Sequence, residues 1–157
     1  MLNAGDQTMI ESGSKETVEN FRPIRVVEGK YPHLVYADII AAGDDIQIIV
    51  GGGEKPHIGA IAFSEPEVVI HPVTGSIIEP DFQNYKCIVS TISAKGHKET
   101  EVAKTFAEAF CMEFNVVVSV SAGIHLDNAS EQDIKAFLDN IKILLDKSIV
   151  AWKKNGS

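Results

Sequence analysis

Apolar and polar residues follow two different periods along this chain. In 34–41, Leu34, Tyr36, Asp38 and Ile40 alternate with Val35, Ala37, Ile39 and Ala41, the period of two that marks a strand. The run "NFRPIRVVEG" before it reads as another strand, as do "IQIIV", "HIGAIAFS" and "KCIVSTIS" after it. Gly43 and Asp44 supply turn chemistry between the second and third. Residues 65–85 hold three prolines, which central strands exclude, so this stretch reads as an irregular excursion with a short edge hairpin. The period then lengthens. In 97–114, Val102, Phe106, Ala109, Phe110 and Phe114 recur at the spacing of a helix with one buried stripe. Glu99 and Glu101 lie in its first turn, where carboxylates suit the helix dipole. "NVVVSVSAG" is almost continuously apolar, as a central, covered strand would be. A last helix follows, with Ser130 placed to cap it, Asp133 three residues on, and a predicted stripe of Ile134, Leu138, Ile141, Leu145 and Ile149.

A meander of strands followed by strand, helix, strand, helix predicts the α+β class: a single mixed β-sheet with two helices packed on one face. Residues 20–157 form one domain in this reading, and the polar, unpatterned residues 1–19 form a disordered N-terminal tail. Two helices cover only one face of such a sheet. A second copy of the chain is the natural cover for the other, so a homodimer is expected.

Composition narrows the partners. The chain has 157 residues, a net charge of −8 and an isoelectric point near 5.0. An acidic surface disfavours nucleic acid and anionic membranes, because phosphate neutralisation needs a basic face. No apolar run approaches the roughly 20 residues of a spanning helix, and the N-terminus lacks the pattern of a signal peptide. Cys87 and Cys111 are the only cysteines; without a CxxC pair they read as reduced, apolar thiols of a cytoplasmic protein.

The candidate chemistry lies in three loops. A strand–helix–strand unit over 86–121 makes its two strands parallel, so "KGHKE" and "SAGIHLD" leave the sheet at one edge. In open α/β sheets that edge binds ligands. "GGGEKPHIGA" also follows the C-terminal end of its strand. If that strand runs parallel to the other two, His57, His97 and His125 meet at the shared edge. Gly51, Gly52 and Gly53 have two readings: positive φ angles and close backbone approach, or exposed amides that cradle a phosphate. His97 and Lys98 at a helix start could bind an anion, or be a solvated helix end. His125 could hold a ligand with Asp127 orienting its ring, or bond only to backbone. Three imidazoles could also hold a divalent metal, although their separations match no local metal motif. His33 and His71 read as structural. Ser119 and Ser121 lie on a strand and not on a nucleophile elbow.

Taken in order, "GGGEKPHIGAIAF", "GHKETEVA" and "VSAGIHLDNASEQDI" resemble the LpdD-like family of prenylated flavin chaperones, which accompany UbiD-type decarboxylases. The resemblance covers most of residues 22–145. It implies a fold similar to that of the proteasome assembly chaperones, which pair as dimers. It also implies prenylated flavin mononucleotide as carried ligand and a UbiD-type decarboxylase as partner. The matching positions are Pro56, His57 and Gly59, then Gly96, His97, Lys98 and Glu99, then Gly123, His125 and Asp127; with Gly52 and Gly53 of the triple glycine they make up the expected cofactor-binding set. A cofactor carrier is therefore the leading expectation and catalysis is not expected. Two alternatives stay open. One is an enzyme whose His57, His97 and His125 hold a metal that acts on a small anionic substrate; the other is a structural assembly chaperone.

Overall fold

The structure, a computed structural model, describes residues 22–70, 72–78, 86–94 and 99–155. Among the described residues, eight strands and two helices follow one another: β1 (Ile24–Glu28), β2 (Val35–Ala42), β3 (Asp45–Gly53), β4 (Ala60–Pro66), β5 (Val69–Ile70), β6 (Ile77–Ile78), β7 (Cys87–Ser93), α1 (Thr100–Phe114), β8 (Val118–His125) and α2 (Glu131–Asn155). Six strands form one mixed sheet in the order β1-β2-β3-β8-β4-β7, and β5 and β6 make a separate two-residue hairpin. The predicted tail, residues 1–19, lies outside the described residues, as does part of the 71–84 excursion.

Strand directions settle the condition left open by the sequence. β3 and β8 pair in parallel, β4 is antiparallel to β8, and β7 is antiparallel to β4. Thus β3, β7 and β8 all run the same way and end at one rim. β8 is central, as its apolar content predicts, but it inserts between β3 and β4. The first four strands are therefore not a plain meander.

Both helices pack on one face. α1 lies over β4, β7 and β8, and α2 over β1 and β2. Alternation decides which side chains meet them: Val35, Ala37 and Ile39 of β2, Ile46, Ile48 and Val50 of β3, and Val118, Val120 and Ala122 of β8 are buried. The helical stripes keep the predicted Phe106, Phe110 and Ile141, and their other buried positions lie about one residue from the predicted ones. α1 buries Ala103, Phe106, Ala107, Phe110 and Cys111, with Val102, Ala109 and Phe114 half-buried at the margin. α2 buries Phe137, Ile141, Leu144 and Ser148, while Ile134 and Leu138 are each 50% exposed. α2 carries apolar residues on more than one row, and docking over two edge strands selects the row centred on Phe137 and Leu144.

Cys111 lies in the core and Cys87 packs against it, both as free thiols. Burial pushes the Cys111 thiol up, which keeps it protonated and unreactive.

The start of α2 is capped as expected. Asp133 accepts from the backbone amide of Ser130 at 2.7 Å and from its hydroxyl at 2.6 Å, and Ser130 Oγ accepts from the Asp133 amide at 3.2 Å. His33 joins this cap through Nε2, 2.7 Å from Asp133 Oδ1, with its ring edge-on to Phe137. That is the structural role predicted for His33. Ser130, and His33 after it, lower the Asp133 carboxyl from 3.8 to about 2. A depressed carboxylate contributes stability above its unfolded value that is lost as pH falls through the folded one. Thermal melts between pH 5 and pH 2 should therefore show a loss of stability concentrated between about 4 and 2. Asp133→Asn should flatten that part of the profile; an unchanged profile would show that the cap does not titrate there.

The face without helices is apolar over β4 and β7. Ile61, Phe63, Ile88 and Ile92 are all exposed there, as is Ile49 on β3 of the same face, with Ile61 directly opposite Ile92. Its β1–β2 side carries polar groups beside Val27. Arg25 forms a bidentate pair with Asp38, at 2.6 and 2.5 Å, and lies 4.8 Å above the Tyr36 ring.

Candidate functional site

Residues 54–59 are long for a loop because they do not join neighbouring strands. The chain leaves β3, must pass over the end of β8, and only then enters β4. It is fastened on the way: the Glu54 amide donates to the His125 carbonyl at 2.8 Å, His57 to Gly123 at 3.4 Å, and Gly59 to Ala122 at 2.9 Å. The Gly59 carbonyl accepts from Ala94, just beyond β7, at 2.8 Å. Gly59 thus links β7 to β8 at the rim.

Gly53 and Gly123 make that crossing possible, while Gly51 and Gly52 admit the neighbouring Tyr36 and Leu34. A Cβ on Gly51 would lie 2.5 Å from the Tyr36 ring, and one on Gly52 would lie 2.6 Å from the Leu34 carbonyl. Gly53 has a φ of +71° and faces the His125 carbonyl. At Gly123 a Cβ would fall on the His57 carbonyl. Of the two readings of the triple glycine, close approach is the one these contacts satisfy. The amide cradle does not form along this stretch, because the amides of Gly53, Glu54, Lys55, His57 and Gly59 all donate to carbonyls of the chain itself.

Two of the three predicted imidazoles meet. The rings of His57 and His125 stand edge to face, 6.0 Å between centroids. His57 Nδ1 lies 3.0 Å from the Lys55 carbonyl; a carbonyl only accepts, so Nδ1 is the donor of that bond, and Nε2 lies 3.7 Å from Glu99 Oε1. His125 Nε2 is 2.8 Å from Asp127 Oδ1, a carboxylate–imidazole pair that fixes the ring orientation. Glu99 occupies the N-cap position of α1, so the β7–α1 connection reaches the same place. Gly96, His97 and Lys98 lie outside the described residues. The ends of that stretch are held together by a hydrogen bond between Ser93 Oγ and Thr100 Oγ1. Pro56 is exposed on the crossing loop. Among the described residues no group of three or more His, Cys, Asp and Glu side chains is arranged to hold a metal ion.

Three rim residues were absent from the sequence-based set. Lys55 Nζ lies 2.6 Å from Asp127 Oδ2, and Glu54 Oε1 accepts from the Tyr31 hydroxyl at 3.1 Å. Lys55, and His125 after it, hold the Asp127 carboxyl below its ordinary range, and Asp127 in turn raises Lys55. Glu54 pushes the Tyr31 phenol up. The charged pair inside a glycine–proline loop was the available signal for Glu54 and Lys55. Tyr31 had none, since its partner is 23 residues away.

A comparison with family models decides the relationship: the prenylated flavin chaperone LpdD-like domain matches residues 29–153. The chain belongs to the LpdD-like family. The match takes in all three loops that carried the resemblance. Among solved structures, a chaperone complex for yeast 20S proteasome assembly is similar, with a TM-score of 0.54 at 13% identity, covering 86% of this chain and 97% of that one. At that identity the likeness establishes the fold, a proteasome-assembly-chaperone architecture, and nothing about partners. No curated protein matches the chain. No described helix is long and apolar enough to cross a membrane.

Proposed function

We propose that this chain carries prenylated flavin mononucleotide at the rim where β3, β7 and β8 end, and passes it to a UbiD-type decarboxylase. The observation that carries the reading is the meeting of His57 from the β3–β4 loop, His125 from the end of β8 and Glu99 from the start of α1 at one edge of the sheet. The cargo combines a flat ring system with a phosphate, and the rim has groups suited to both. His57 and His125 offer imidazole surfaces and ring nitrogens. Lys55 offers an ammonium group, on a side chain that is two-thirds exposed, beside the Asp127 carboxylate. The start of α1 adds the positive end of a helix dipole. Gly52, Gly53, Gly59 and Gly123 act by letting the loop lie flat, and Pro56 by stiffening it. Gly96, His97, Lys98 and Asp127 complete the set in this reading, Asp127 by holding His125 and Lys55.

A carrier needs no bond-breaking chemistry, only a site that binds firmly and opens toward a partner. An exposed rim meets the second requirement better than a closed cavity would. The apolar patch over β4 and β7 is the surface on which a second copy would pack, giving a homodimer with both rims free.

The test is to mix the purified protein with prenylated flavin mononucleotide, pass it through gel filtration and record the visible spectrum. The wild type should retain the flavin band at the elution volume of a dimer, and His57→Ala, His97→Ala and His125→Ala should lose it. Added apo-decarboxylase should take up the band. A wild-type protein that emerges colourless would overturn the carrier reading, and elution at the monomer mass would remove the second copy.

A further inference from the structure

The turn between β1 and β2 holds an aromatic ring out into solvent at the rim. Tyr31 is 74% exposed, yet it is not on a loose tip. The His33 amide donates to the Lys30 carbonyl at 2.8 Å, and Asn140 of α2 donates to the His33 carbonyl at 2.8 Å. The His33 ring is bonded to Asp133, and Gly29, at a φ of +77°, lets the turn sit directly against Asn140. Three contacts to α2 therefore fix the backbone. The ring itself is held at its hydroxyl by Glu54, the first residue of the crossing loop.

An exposed aromatic side chain ordinarily lies back on nearby apolar surface. This one is held by its polar tip, so its ring is ordered before anything binds. Order of that kind lowers the entropy lost when a flat molecule stacks on it. The other described tyrosine cannot serve. Tyr36 lies against Gly51 and beneath Arg25 on the sheet face. A continuous chain of contacts leads from Tyr31 through Glu54 and Asp127 to His125, and from there to the His57 ring.

We infer that Tyr31 is a ligand-binding residue of the rim, against which the conjugated ring system of the cargo stacks. This rests on the carrier reading. It supplies the aromatic surface that the two imidazoles alone provide poorly, and it assigns the hydroxyl a different role, that of holding the ring in place.

The experiment measures dissociation constants for prenylated flavin mononucleotide in the full chain, with thermal melts as a control for folding. Tyr31→Leu should weaken binding about tenfold, the worth of one stacked ring. Tyr31→Phe keeps the ring and should stay within about threefold of the wild type, the worth of one hydrogen bond at its weaker end. Equal losses in the two variants would mean that only the hydroxyl matters and would overturn the stacking role. Wild-type affinity in both would overturn it as well. If either result came with loss of binding in His125→Ala, the carrier reading would stand without Tyr31. If the wild type binds no cofactor, both fall together.

Discussion

Gly123→Ala should release the cofactor without unfolding the sheet. The added methyl would fall on the carbonyl of His57, which is backbone and cannot turn aside as a side chain could. The loop must lift away from β8, and the His57 amide then loses its bond to the Gly123 carbonyl, already long at 3.4 Å. The His57 ring moves with it, away from both His125 and Glu99. If two cofactor hydrogen bonds at about 1 kcal/mol each are lost, affinity should fall about thirtyfold. Gly43→Ala is the matched control. Gly43 also adopts a positive φ, +67°, but nothing lies within 4 Å of its would-be Cβ. That substitution should cost about 1 kcal/mol of stability from backbone strain and leave binding intact. The measurement is cofactor affinity for both variants beside thermal melts; wild-type affinity in Gly123→Ala would show that the crossing loop does not form the site.

The same contacts explain why the rim was only partly legible beforehand. Local chemistry identified His57, His125 and Asp127, because loops at the ends of parallel strands are a general feature of such sheets. What local chemistry could not supply was sheet order. The insertion of β8 between β3 and β4 is a long-range choice, and it alone explains why "GGGEKPH" exceeds a hairpin turn. The same insertion engages the backbone amides that a phosphate cradle would need. In β2 the alternation read from the sequence separates the buried Val35, Ala37 and Ile39 from Tyr36 and Asp38, since a period of two leaves a single inward set. The helices were less determined. In α2 the residues Ile134, Phe137, Leu138, Ile141, Leu144, Leu145 and Ile149 satisfy two neighbouring stripes, and only the docking on β1 and β2 separates them. Tyr31 was invisible for a related reason: its significance lies in Glu54, which belongs to a different connection.

Phe106→Ala tests whether α1 is packed as described, and it should be strongly destabilising. Phe106 is fully buried at the centre of the α1 stripe, where the helix lies over β4 and β8. Truncating a buried phenylalanine costs about 3–5 kcal/mol, combining lost transfer energy with the cavity left behind. Domains of this kind have total stabilities of about 5–15 kcal/mol, so the variant should sit close to the limit of folding. For a chain of this length each kcal/mol lowers the melting temperature by about 2–4 °C, so a cost of about 3–5 kcal/mol predicts a fall of about 6–20 °C. Leu138→Ala provides the contrast. The sequence alone places Leu138 in the α2 stripe, but half of it remains exposed, so its loss should cost less than about 1 kcal/mol. Paired thermal melts separate the two arrangements. A large loss in Leu138→Ala and a small one in Phe106→Ala would mean that the helices dock on other faces, and Glu99 would then no longer be carried to the side of His57.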